Sequence, residues 1–285
     1  MKIITADARL AEIHAPKILI AGPAGIGKTS LLRTVDPTST LFIDMEAGDL
    51  AVQDVPVDTL RPTSWPEMRN LACFIGGPDT SIPDGAPYSQ EHYDAMVAEH
   101  GDPSELDKYR LLFVDSLTVA LRLCLRWAQQ QPEAFSEKTN KPDPRGAYGL
   151  LGREALQWLT RLQHTRGKAV VFVSILENVK DEFGRASWEL QLEGQKAGRE
   201  LPGLVDQVIA MGMVKHPEDE AAGKVRAFLC TPEADDFPGF MPKDRSGRLD
   251  AYEKPDLGAL LSKLTASRTP ETSSHAASKK AKSHV

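Results

Sequence analysis

The stretch ILIAGPAGIGKTSLL, residues 18–32, sets three glycines, a proline, a lysine and a threonine between two apolar runs. Gly22, Gly25, Gly27, Lys28 and Thr29 complete the pattern G-x-x-x-x-G-K-[ST], with a strand expected before it and a helix after it. Backbone N–H groups converge on a phosphate only where side chains stay clear, which glycine secures. The N-terminal dipole of the following helix adds to that field. Residues Gly22, Pro23, Ala24, Gly25, Ile26, Gly27, Lys28, Thr29 and Ser30 are therefore the candidate phosphate cradle. Lys28 would reach the β and γ phosphates of ATP as a point charge, and the Thr29 hydroxyl would ligate the bridging magnesium ion.

Working outward, three further runs rich in apolar residues occur at TLFIDM (40–45), RLLFVDS (110–116) and KAVVFVSIL (168–176), in addition to KILIAG (17–22). Near-continuous apolarity of this length fits strands covered on both faces, as in a parallel sheet. The segments 116–130 and 149–165 repeat leucine and tryptophan at three- and four-residue spacing and read as amphipathic helices. The alternation predicts an α/β fold with a doubly wound, mainly parallel sheet whose ligands sit beyond the carboxyl ends of its strands. DQVIAMGMV (206–214) and KVRAFLCT (224–231) read as an antiparallel hairpin around a polar connection, and PDLGALLSKL (255–264) as a closing helix. Residues 76–108 and 130–149, the first rich in Gly, Pro and Asp, read as irregular. One domain over residues 1–265 is expected, with a disordered tail of positive formal balance at 266–285.

The bulk numbers narrow the setting. With 285 residues, 41% hydrophobic and 26% charged, the chain has the composition of a soluble globular protein. Its formal net charge of -6 argues against coating nucleic acid through overall charge, while leaving room for a local basic groove. The three cysteines, Cys73, Cys124 and Cys230, form no C-x-x-C pair, and the seven histidines show no ligand spacing. No signal-type h-region and no run near the roughly 18 apolar residues of a membrane span are present, so a cytoplasmic protein with no membrane partner is expected.

Hydrolysis needs an acid for the metal and a base for water. Asp115 ends a buried run and is the candidate for the metal, with a helix N-cap as the competing role. Glu46 ends the second strand at its open end and is the candidate base, against a solvated loop acid, with Asp44 next in line. Lys138, Lys141 and Arg145, with Phe135 and Tyr148, form either a strand-binding platform or a solvated loop.

On these motifs the chain resembles the RecA-type ATPases over most of residues 15–265. FIDMEAGDL resembles the segment carrying their catalytic glutamate, and LLFVDSLTVAL their Walker B strand with its Asp-Ser pair. The resemblance implies that Glu46 activates water and Asp115 serves magnesium. In size and motif spacing it is most similar to the single-strand annealing ATPases of bacteriophages, the Sak group, which implies single-stranded DNA as partner, a host-cytoplasm setting, and a single-stranded-DNA-binding protein as an accessory. The fourth strand departs from the family's Asn-Gln ending: Ser174 and Ile175 stand there, so Ser174 is either a phosphate contact or a satisfied strand-end hydroxyl. FMPKDRSGRL resembles the K-x-R-x-G finger of RecA-fold helicases, so Lys243 and Arg245 would enter a neighbour's ATP site in a ring or filament, the competing role being a surface turn. A nucleotide-dependent assembly module that does not touch DNA is the alternative reading; a small-molecule kinase fits less well, for want of a lid with clustered arginines.

Overall fold

The computed structural model describes residues 3–11, 14–165, 167–215, 223–234 and 236–266. The expected tail, beginning at Ala266, and the polar connection of the C-terminal hairpin lie almost wholly outside them. After a short helix α1 (Ala6–Ala11), the chain enters strand β1 (Lys17–Gly22), the phosphate loop and β2 (Thr40–Asp44). There follow β3 (Asp58–Leu60), α2 (Trp65–Gly76), α3 (Gln90–His100), β4 (Leu111–Asp115), α4 (Leu117–Ala128), α5 (Pro144–Gln163) and β5 (Ala169–Lys180). The chain continues through β6 (Ala186–Leu190), α6 (Gln195–Leu204), β7 (Gln207–Lys215), β8 (Lys224–Leu229), β9 (Lys243–Asp244), β10 (Tyr252–Glu253) and α7 (Leu257–Thr265).

The main sheet runs β10-β8-β7-β1-β5-β4-β2-β3. Pairing from β7 through to β3 is parallel, whereas β8, β9 and β10 join antiparallel, and β6 folds back on β5 as a second hairpin. The α/β architecture, doubly wound with antiparallel C-terminal strands, is the one expected. β1, β2 and β4 are buried along their whole length, as parallel strands with both faces covered must be.

Alternation of side chains places the two larger of three core clusters on opposite faces of the sheet. On one face Leu19, Leu112, Val170 and Phe172 pack against α2, α4, α5 and α6. Trp158 is the centre of that layer, edge-on to Trp65 at 5.7 Å and to Phe172 at 5.8 Å. Burying an aromatic side chain of this size contributes about 3 kcal/mol. On the other face Ile18, Ile20, Phe113 and Val171 meet Leu31 and Leu32 behind the phosphate loop, with Leu257, Leu260 and Leu264 of α7 over them. The Thr34 hydroxyl accepts the Leu257 N–H at 2.9 Å, and a Cβ on Gly258 would come within 2.2 Å of Thr34 O. That close approach docks α7 directly on the segment after the loop.

Three expectations are corrected. The element after the phosphate loop is a six-residue 3₁₀ helix, Thr29–Thr34, rather than an α-helix. Asp36 precedes Pro37, which disfavours a helical Asp36, and the β-branched pair Thr34 and Val35 weakens helix just before it. Residues 76–108 are not irregular throughout: α3 occupies Gln90–His100, capped by Ser89, and Pro103–Lys108 forms a 3₁₀ turn. Only Met96 of α3 is buried, so no apolar stripe marks the helix. Residues 130–149 hold a 3₁₀ turn at Pro132–Ala134 and a bridge from Phe135 to Pro142, and then Asp143 caps α5 by accepting the Arg145 N–H at 3.0 Å, with Pro144 in the first helical position.

Candidate active site

Strand register gathers the site. Asp44 is paired with Asp115, Asp115 with Val173, and Gly22 with Ile175, so β1, β2 and β4 end within two residues of one another in register, while β5 runs on past them. Asp44 and Asp115 share the parity of Phe42 and Phe113, which places both on the phosphate-loop face.

In the loop, Gly25 and Gly27 have φ of +76° and +97°, values that only glycine adopts without strain. A Cβ on Gly22 would come within 2.5 Å of Met211 O, so this glycine is required by the close passage of β7. Lys28 is buried, its Nζ donating to Gly22 O at 2.8 Å and Pro23 O at 2.9 Å. Burial lowers its pKa, while Asp115 and Glu46 oppose the shift. Thr29 Oγ1 donates to Asp115 Oδ2 at 2.6 Å. Burial pushes the Asp115 carboxyl up to about 6, against the Thr29 hydrogen bond and the charge of Lys28; the Glu46 and Asp44 charges add to the rise.

The helix-cap role weighed for Asp115 belongs to its neighbour. Ser116 caps α4 by accepting the Val119 N–H at 3.3 Å, and its hydroxyl donates to Glu46 Oε1. Glu46 is exposed beyond β2. Asp44, by contrast, is buried and holds the turn: Oδ1 accepts the N–H of Glu46 at 3.1 Å and of Gly48 at 3.4 Å, and Arg61 lies 3.5 Å from Oδ2. Ala47 sits in the left-handed region, at φ 52°, so the chain turns sharply just after the candidate base.

Ser174 is fully buried on the opposite face, its Oγ 3.2 Å from Thr118 Oγ1, which also accepts the Ile175 N–H at 3.1 Å. A phosphate contact from Ser174 would require that pair to open. Lys243 and Arg245 are not brought to the loop either. β9 pairs with Gln207 and Val208 at the start of β7, the end of the sheet where β1 begins. Five residues of β1 separate that end from Gly22, roughly 16 Å of strand. Lys243 Nζ donates to Pro202 O and, at 2.7 Å, to Val205 O; Arg245 donates at 3.2 Å to Asp206 Oδ1 and to Gly203 O. A residue that pattern reading missed is Arg226 on β8, whose Nη1 donates to Ile26 O at 3.2 Å. It lies some 200 positions from the loop in sequence, and no local motif marks it.

The donor set fits the groups that the motif implies. Thr29 and Asp115 offer hard oxygen ligands, which suit magnesium. Among the described residues no cluster of three His, Cys, Asp or Glu could hold a metal. The ion would therefore depend on nucleotide phosphates for the rest of its shell, the usual habit of magnesium.

A glycine loop on a parallel sheet, a buried lysine, and a threonine-aspartate pair across neighbouring strand ends define a P-loop nucleoside triphosphatase. The chain belongs to the AAA domain family, whose model matches residues 14–245. No curated protein sequence matches it significantly. Among solved structures it is similar to a KaiC-like protein from Pyrococcus horikoshii, with 12% identity, a TM-score of 0.37, and coverage of 76% of this chain and 78% of that one. It is also similar to an ATPase from the type III secretion system of pathogenic bacteria, with 15% identity, a TM-score of 0.39, and coverage of 74% of this chain and 56% of that one. Among the described residues no helix is long and apolar enough to cross a membrane.

Proposed function

We propose that the chain is a magnesium-dependent ATPase acting on single-stranded DNA in phage-type recombination or annealing, assembled head to tail with ATP at subunit interfaces. The observation that carries the ATPase reading is the convergence of Lys28, the Thr29–Asp115 pair and the Ser116–Glu46 pair at one row of strand ends. Lys28 and the loop N–H groups bind the phosphates; Thr29 and Asp115 hold the ion, which neutralises phosphate charge. Glu46 takes the proton of the attacking water, with Ser116 fixing the carboxylate.

Two features support the wider reading. Lys138, Lys141, Arg145 and Tyr148 are exposed together around the start of α5, with Phe135 half-buried beside them, a basic and aromatic surface suited to single strands. Arg245 is half-exposed at the sheet end remote from its own loop, so any nucleotide that it served would be a neighbour's; Lys243 would have to leave its two carbonyl partners to join it. The test is the ATPase rate with and without single-stranded DNA across a salt series. Stimulation that falls steeply with salt, through loss of counterion release, is the expected result. Hydrolysis indifferent to DNA at low salt would favour the assembly module, and no hydrolysis would overturn the enzymatic reading.

A further inference from the structure

Strand order gives the bound nucleotide a direction. β5, β4 and β2 lie on one side of β1 and bring Asp115 and Glu46 to the loop; β7 and β8 lie on the other side. A nucleotide whose terminal phosphate meets Glu46 and the Thr29–Asp115 pair therefore carries its α-phosphate and nucleoside toward β7 and β8. On that flank, Arg226 of β8 is a cation in contact with the loop. It shares the strand parity of Phe228, which packs in the cluster of Leu31 and Leu32 behind the loop. Its exposed guanidinium lies against the loop itself, Nη1 donating to Ile26 O at 3.2 Å. A Cβ on Gly27 would come within 2.4 Å of the same nitrogen. Among the described residues no carboxylate pairs with Arg226, and the single bond to Ile26 O leaves most of its five donors unused.

We propose that Arg226 is a nucleotide-binding residue of the same chain, holding the α-phosphate through its planar fork of N–H donors. The assignment rests on the ATP-binding reading above and adds a residue to it. The contact is made with the part of the nucleotide that does not react, so it is equal for ATP and ADP and is a ground-state interaction. Gly27 is held to glycine by its positive φ, and the absent side chain leaves the guanidinium free to rest against the loop.

The experiment compares full-length wild type, Arg226→Gln and Arg226→Lys in calorimetric titrations with ATP, ADP and adenosine, and in steady-state hydrolysis. Loss of a charged hydrogen-bonding partner is expected to weaken ATP and ADP by the same factor, roughly tenfold or more. Adenosine binding should not change, KM should rise by that factor at constant kcat, and Arg226→Lys should recover part of the loss. Equal affinity in wild type and Arg226→Gln would overturn the assignment, as would weakening of ATP alone, which would move the contact to the γ-phosphate. A parallel loss of adenosine binding with a lowered melting temperature would also overturn it, making Arg226 a brace for the loop. Lys28→Ala separates this outcome from failure of the site itself. If that variant binds ATP like wild type, the phosphate-loop reading falls; if it binds none while Arg226→Gln binds normally, only the Arg226 assignment falls.

Discussion

Asp44 and Glu46 stand two residues apart on one strand end, and their surroundings divide the work between them. Asp44 is committed to the turn through two backbone N–H groups, and Glu46 is left exposed, with only the Ser116 hydroxyl on one oxygen among the described residues. Glu46→Gln should therefore bind ATP like wild type and lose turnover by roughly 10²- to 10⁴-fold; single-turnover hydrolysis at saturating ATP measures it. The loop glycines separate in the same way. Gly22→Ala must push against the backbone oxygen of Met211, so it should lower stability by about 1–3 kcal/mol. Gly25→Ala meets no atom within 4 Å and is strained only by φ +76°, costing about 1 kcal/mol. Urea denaturation of both variants checks the order. The loop, Asp115 and Glu46 were legible in the sequence because short-range spacing encodes them. Arg226 and the Thr118 partner of Ser174 were not, since strand pairing alone makes them neighbours.

Among the elements, the four buried strands were readable as apolar runs because burial on both faces leaves no polar alternation to confuse them. α2 was missed although its start is written out. Ser64 accepts the Glu67 N–H, and Glu67 in turn accepts the Thr63 N–H at 2.8 Å, in the S-x-x-E spacing of a capping box. β6 was missed because its burial is only partial and its partner is the projecting end of β5. The turn after β9 offers a test at this scale. Burial pushes the Asp244 carboxyl up, but hydrogen bonds from the Ser246 hydroxyl, the Leu249 and Ser246 N–H groups and Gln207 outweigh it and bring the pKa to about 2. A carboxyl lowered on folding stabilises above its unfolded pKa, near 4, and that contribution is lost as pH falls through 2. Asp244→Asn should thus cost about 1 kcal/mol at pH 7, because solvent screening of this partly exposed carboxylate cuts the full linkage value, with the gap from wild type closing between pH 4 and pH 2 in denaturant melts.

For the whole molecule, the sheet separates two kinds of chemistry. Phosphate loop and carboxylates lie where the parallel strands end, whereas Arg245 lies where β1 and β7 begin. If Arg245 completes a neighbour's site, Arg245→Ala should bind ATP nearly normally and hydrolyse it poorly, by 10³-fold or roughly that. Mixing it with Glu46→Gln protein creates some interfaces with an intact loop and base on one side and an intact arginine on the other. Hydrolysis should partly return on mixing. If two folded, individually inactive variants restore nothing under assembling conditions, Arg245 serves its own chain, through Asp206 and Gly203 O.

The docking of α7 on Thr34 ties the beginning of the site to a segment made more than two hundred residues later. Ribosomes release the phosphate loop early, but Leu257, Leu260 and Leu264, which close the core behind it, emerge last of the described elements. During synthesis the nascent chain therefore carries its nucleotide motif long before it has a floor to rest on. Chains arrested before Leu257 should pass through an ATP-agarose column, and those arrested far enough beyond Thr265 for α7 to clear the exit tunnel should be retained. ATP on this account cannot template the early folding of the sheet and rewards only a finished one.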